Sequence, residues 1–110
     1  MRTAVFALTE AGAQLARGVG LALGDQASLF VSSSHAILGA QTFGRLREAV
    51  QENFHRYDAL VFIMAAGIAV RSIAPYLVSK LEDPAVVVLD EQGRHVISLL
   101  SGHVGGANRL

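Results

Sequence analysis

The sequence predicts a three-layer α/β domain: a mostly parallel, open sheet with helices on both faces and a C-terminal antiparallel β-hairpin. Three observations predict it. Short apolar runs alternate with stretches whose apolar residues recur three and four apart, the pattern of strand followed by crossover helix. The runs at 59–63 and 85–89 are apolar throughout, as strands covered on both faces must be. The final run, at 95–99, follows Asp90-Glu91-Gln92-Gly93, a polar turn suited to chain reversal.

Residues 3–8 read as the first strand, with Val5 and Phe6 inside it. Thr9 is a good helix cap and Glu10 suits a first helical turn, so a helix follows. Ala11, Leu15, Val19, Ala22 and Leu23 make its apolar face, and Gly12, Gly18 and Gly20, each costly in a helix, imply close packing on a sheet. Residues 27–31 form the second strand and Ser32-Ser33-Ser34-His35 a polar loop. The stretch 43–53 reads as a helix with Leu46, Val50 and Phe54 four apart, and Arg45, Arg47, Glu48 and Glu52 on its solvated side carry no function in this reading. After the strand at 59–63, Val70, Ile73, Ala74 and Leu77 have helical spacing, with Pro75 either in a first turn or at a kink. Asp83-Pro84 is a turn signal, and three valines, Val86, Val87 and Val88, fill the next strand. Right-handed crossovers then place residues 9–12, 32–35 and 65–71 on one rim, beyond the carboxyl ends of the strands, where open α/β sheets bind ligands.

Residues 1–110 are expected to form one domain, because a chain of this length supports one core. Nine basic and nine acidic residues cancel, which leaves no global field for nucleic acid or an anionic membrane surface. Without cysteine, disulfide and thiolate chemistry are excluded. No signal-peptide pattern opens the chain, and the longest predominantly apolar stretch without charge, 59–70, is well short of the roughly 20 residues that span a bilayer. A soluble, cytoplasmic protein without membrane contact is the expectation.

The most unusual segment is Ser101-Gly102-His103-Val104-Gly105-Gly106-Ala107-Asn108. Glycines allow close backbone approach and positive φ, so successive N–H groups of Gly102, Gly105 and Gly106 can face one anion. The segment lacks the Lys-Ser or Lys-Thr of a phosphate-binding loop and the spacing of a dinucleotide loop, and a structural Gly-rich turn with a surface histidine reads equally well. Gly67 and Arg71 form a second candidate: a strand ends, and one arginine follows an uncharged run, placed to take a carboxylate bidentately or to make an ordinary ion pair. Lys80 is the third, with a simple turn closure to Asp83 as its plainer reading. His35, His55 and His95 show no metal-ligand spacing, so no protein-bound metal is expected, and no serine sits in a nucleophile elbow.

In order, Gly67-Ile68-Ala69-Val70-Arg71, Ala74-Pro75, Lys80, the run 83–88, Asp90, Gly93 and the run 96–108 resemble the N-terminal region of the CbiG-type cobalt-precorrin-5A hydrolases of cobalamin biosynthesis. The resemblance is dense from Asp58 onward, while the first half agrees in layout and in a Thr-x-x-Gly turn at Thr9 and Gly12. It implies opening of the ring-A δ-lactone of cobalt-precorrin-5A, with release of acetaldehyde, to give cobalt-precorrin-5B. Cobalt would arrive inside the corrinoid substrate, so no cofactor is implied. Arg71, Lys80 and the N–H groups of the Gly102 to Gly106 segment would meet peripheral carboxylates, with Gly67 and Asn108 also at the substrate, and His103 would be the base that activates water. Family members continue into a middle region and a C-terminal domain. The helix expected after Asn108 is therefore cut in its first turn, which would expose apolar surface and favour a homo-oligomer. The alternative is a non-catalytic module that binds an anion or a phosphometabolite.

Overall fold

The computed structural model describes residues 1–101. It contains a six-stranded sheet: β1 (Thr3–Ala7), β2 (Ala27–Ser32), β3 (Gln41–Phe43), β4 (Ala59–Ile63), β5 (Ala85–Leu89) and β6 (Val96–Ser101). Their spatial order is β3-β2-β1-β4-β5-β6, with every neighbouring pair parallel except β5 and β6. The three-layer α/β prediction and the terminal antiparallel pair are both present. A register shift between Val86 and Val87 disturbs the last pairing. Leu99 and Leu100 consequently both reach the same core, which strict alternation would forbid.

The two faces of the sheet are covered unequally. Helix α1 (Glu10–Leu23) packs over Val5, Ala7, Val31, Val61 and Ile63. Helices α2 (Leu46–Asn53) and α3 (Ala66–Ile73) cover the opposite face, where Phe6, Phe30, Leu60, Phe62, Val86 and Val88 meet Val50, Phe54, Ala69 and Ile73. In-register pairing sets Phe30, Phe6 and Phe62 side by side across three strands. Their rings stack at centroid separations of 5.1 and 5.0 Å. Offset stacking of this kind adds to the large area each ring buries.

Helix α1 begins as the sequence predicts, with Thr9 accepting the Gly12 N–H at 3.0 Å. Its buried side is Gly12, Ala13 and Ala16, whereas Ala11 and Ala22 are exposed. Small residues let the helix axis approach the sheet more closely than a Leu-rich stripe would, and the larger Leu15, Val19 and Leu23 flank the contact. Gly20 lies against Leu29, where an added Cβ would come within 2.9 Å, but Gly18 faces open space.

Two elements differ from the sequence reading. The stretch 43–53 is not one helix: Gln41–Phe43 is a short edge strand paired with Phe30, Val31 and Ser32, and α2 starts only at Leu46. Three residues are too few to show a period, so helical spacing from Leu46 onward dominated the reading. The third helix also ends at Ile73, followed by a single tight turn at Ala74–Tyr76. Pro75 has no N–H to continue the ladder, and Val70 and Leu77 are nearly half exposed rather than in the core. The buried set is Ala69, Ser72 and Ile73.

No helix among the described residues is long and apolar enough to cross a membrane. Because Phe6 stands between two stacked rings and is fully buried, Phe6→Ala should cost about 3 to 5 kcal/mol of stability. Equilibrium denaturant unfolding of the two proteins checks this.

Candidate functional site

Five parallel strands end at one edge of the sheet, and α1, α2 and α3 each start from a carboxyl end. From β1 the chain passes through α1 to β2 on one side, while β4 lies on the other, so a crevice opens between the ends of β1 and β4. Residues 9–12, 32–35 and 65–67 stand on this rim, as the sequence reading expected, and α3 carries the chain back from it to Arg71 and beyond. The hydroxyl of Thr9 both accepts from Gly12 and donates to the Glu91 carboxylate, linking the start of α1 to the turn after β5. Gly12 is buried against the end of β4. A Cβ there would stand 3.2 Å from the Thr9 hydroxyl oxygen and 3.4 Å from the Ile63 carbonyl oxygen.

On the other side of the crevice, α3 begins without any side-chain cap, its preceding residue being Ala65. Gly67, in its first turn, is exposed, and an added Cβ there would meet nothing within 4 Å. One turn later, Arg71 lies in a groove of about 580 Å³ between α2 and α3, together with Arg45, Arg47, Leu46, Ile68 and Ser72. Helix α2 likewise lacks a side-chain cap, its preceding residue being Arg45. Among the described residues the one ion pair joins His55 to Asp83, at 3.2 Å, so none of the three groove arginines has a carboxylate within salt-bridge reach.

Arg45 and Arg47 lie on the solvated face that the sequence reading gave them. Both are exposed, but they share a groove with the arginine that sequence reasoning singled out. The signal was available: once Gln41–Phe43 is recognised as a strand, Arg45 follows a strand's carboxyl end as Gly67 does. A separate groove of about 320 Å³ on the rim runs between Glu10 and Gln14 of α1 and Ser34 and His35.

Lys80 stands elsewhere. It is exposed in the turn that leads into Ala85, at the amino edge of the parallel strands, about 17 Å, the length of a five-residue strand, from the rim of Gly67. It does not close the turn with Asp83. The buried Asp83 carboxylate accepts the Val78 N–H at 3.0 Å and contacts His55, while its own N–H bonds Ser79. Strand β6 runs antiparallel and ends at Ser101 opposite Ala85, on the same edge as Lys80. Gly102, His103, Gly105, Gly106 and Asn108 lie outside the described residues. Among the described residues, no three His, Asp or Glu side chains gather as metal ligands would.

Residues 48–110 match the family described as Cobalamin synthesis G N-terminal. The chain belongs to this family. A cobalt-precorrin-5A hydrolase of Salmonella typhimurium is 47% identical over 108 residues, spanning 97% of this chain and 30% of the relative. One from Priestia megaterium is 41% identical over 112 residues, with the same coverage of 97% and 30%. A crystal structure described as a cobalamin biosynthesis protein G homolog from Sulfolobus solfataricus superposes with a TM-score of 0.70 at 28% identity, over 97% of this chain and 31% of that one. The Cobalamin synthesis G N-terminal chain therefore spans less than a third of the length of the relatives it matches.

In the turn between β5 and β6, at the rim, backbone donors favour the charged form of one carboxylate. The Arg94 N–H, donated at 2.8 Å, holds the Asp90 carboxyl below the ordinary carboxylate range. Desolvation opposes this, and the His95 N–H, the nearby His95 charge and the Gly93 N–H add smaller lowering effects. A lowered folded-state pKa contributes stability that is present above the ordinary carboxylate pKa and lost as pH falls through the lowered one. Asp90→Asn should therefore speed amide hydrogen exchange at Arg94 near neutral pH. The difference from the parent should shrink once Asp90 itself is protonated in acid. Exchange followed by NMR across the acidic range checks both the sign and the window.

Proposed function

We propose that this chain forms one wall of the substrate site of a cobalt-precorrin-5A hydrolase, acting in cobalamin biosynthesis in the cytoplasm. The observation that carries the reading is the identity of 47% and 41% to two cobalt-precorrin-5A hydrolases along 97% of the chain. The reaction opens the ring-A δ-lactone with water and releases the two-carbon unit as acetaldehyde, giving cobalt-precorrin-5B. Cobalt belongs to the substrate and is neither added nor removed. The remaining two thirds of such an enzyme would supply the facing walls. A non-catalytic phosphometabolite module is not favoured, since the matched relatives are hydrolases.

Lactone opening needs a base to draw a proton from water and donors to receive the developing oxyanion. In this reading His103 is the base, and the N–H groups of Gly102, Gly105 and Gly106 are the donors, with Asn108 at the edge of the same segment. Proton transfer is felt mainly in the transition state. In an enzyme of the relatives' length carrying this domain, His103→Gln should thus lower turnover by about 100-fold to 10,000-fold with little change in substrate affinity. Gly106→Val should weaken binding instead, because a β-branched side chain blocks backbone approach. Steady-state kinetics with cobalt-precorrin-5A and detection of released acetaldehyde test both. Normal turnover in His103→Gln would remove His103 from the chemistry, and absence of acetaldehyde from the unaltered enzyme would overturn the reading as a whole.

A further inference from the structure

The groove between α2 and α3 has a composition that its place in the fold does not explain. The chain carries as many acidic as basic residues, yet Arg45, Arg47 and Arg71 converge on one depression, and no carboxylate among the described residues lies within 4.0 Å of any of them. Glu48 and Glu52, the nearest acids in sequence on α2, line the neighbouring pocket with Gln41, Thr42 and Gly44. Arg45 borders both pockets without pairing to either acid. Clustered guanidinium groups repel one another, so a fold gains nothing from gathering them without an anion.

The ends of the helices add to the same field. Helices α2 and α3, of eight residues each, both begin at the carboxyl edge of the sheet, and neither has a side-chain cap, whereas α1 is capped by Thr9. The positive end of α2, at Arg45 and Leu46, therefore acts on the groove without a local side-chain oxygen to offset it. The groove is not purely polar. Leu46 and the 42%-exposed Ile68 offer apolar surface, and Ser72 is buried with its hydroxyl donated to the Ala69 carbonyl at 2.8 Å, so it presents no competing donor. A bare phosphate would leave the apolar part unused.

We infer that this groove is a binding site for the carboxylate-bearing edge of a large, flat organic polyanion, with Arg45, Arg47 and Arg71 pairing to separate carboxylates and Leu46 and Ile68 contacting the ring between them. Guanidinium forks suit carboxylates bidentately, and a volume of about 580 Å³ takes one edge of a macrocycle rather than the whole. The preference for carboxylates on an apolar frame rests on the groove. Its assignment to the precorrin substrate rests on the hydrolase reading above.

The test uses this 110-residue chain and uroporphyrin, a metal-free macrocycle with acetate and propionate side chains, followed by fluorescence titration at fixed ionic strength. Saturable binding is expected, and Arg45→Gln, Arg47→Gln and Arg71→Gln should each weaken it by about 5-fold to 20-fold. Arg71→Lys should restore part of the loss, since charge returns without the fork. All of these residues are exposed, so thermal unfolding should stay at the parent value. Arg17→Gln, on the exposed side of α1, should bind as the parent does. The inference is overturned if the three groove variants bind normally, if Arg17→Gln loses as much as they do, or if inorganic phosphate at equal ionic strength displaces uroporphyrin completely. The hydrolase reading is separated by turnover in the longer enzyme. Acetaldehyde release with an unchanged KM in the arginine variants defeats the groove and leaves the hydrolase standing. Uroporphyrin binding that depends on the arginines, in a protein whose longer form releases no acetaldehyde, does the reverse.

Discussion

The stacked row of Phe30, Phe6 and Phe62 is the contact on which the rest of the molecule depends. Three rings from β2, β1 and β4 lie in register across the centre of the sheet, and Val88 continues the row on β5. Flat, rigid side chains in line create a broad apolar floor on one face only, because neighbouring positions along each strand point to the other. On that floor α2 and α3 settle side by side, held by Val50, Phe54, Ala69 and Ile73. The opposite face offers smaller residues, Val5, Ala7 and Val31, and takes one long helix whose contact side is itself small.

The asymmetry has a consequence for chemistry. A sheet that seats two short helices together on one face leaves a furrow between them, and both begin at the carboxyl edge. The exposed rows of two elements distant in sequence thereby come to line one depression. On the other face α1 lies between the crevice and Ser34 and His35, and Thr9 ties its start to Glu91 across the end of β4. The rim is held by a few hydrogen bonds to a rigid frame, and ligand sites in open α/β sheets are built in this way.

The opposite edge is organised by a buried carboxylate. Asp83 fixes the chain between Val78 and Pro84 by accepting a backbone N–H, and it also contacts His55, which packs edge-on against Phe54 at the end of α2. That edge carries Lys80 and receives the end of β6. Among the described residues, those singled out from sequence thus fall on two ends of the sheet. Gly67 lies in the first turn of α3, at the rim, Arg71 lies in its last turn, and Lys80 lies about a strand's length from the rim.

Much of the fold was legible in the sequence, because strand runs such as Ala59–Ile63 and Ala85–Leu89 are apolar at every position and only burial on both faces accounts for that. The Thr9 cap, the Asp83-Pro84 turn and the final reversal were equally local, each set by the chemistry of a few consecutive residues. The resemblance to the Cobalamin synthesis G N-terminal family was carried by motifs read along the chain, with no geometry required. Tertiary structure alone decided what depends on distance in space. It made a strand of Gln41–Phe43, because a three-residue edge segment exists only through its partner β2. It ended α3 before Pro75 and exposed Val70, although the spacing of Val70, Ile73, Ala74 and Leu77 had suited a longer helix. It separated Lys80 from Gly67, and it brought Arg45 and Arg47 beside Arg71, since neither α2 nor α3 encodes the other's position. Sequence by itself determined most of the elements and the family; only the packing of both helices on the phenylalanine floor decided which charges meet.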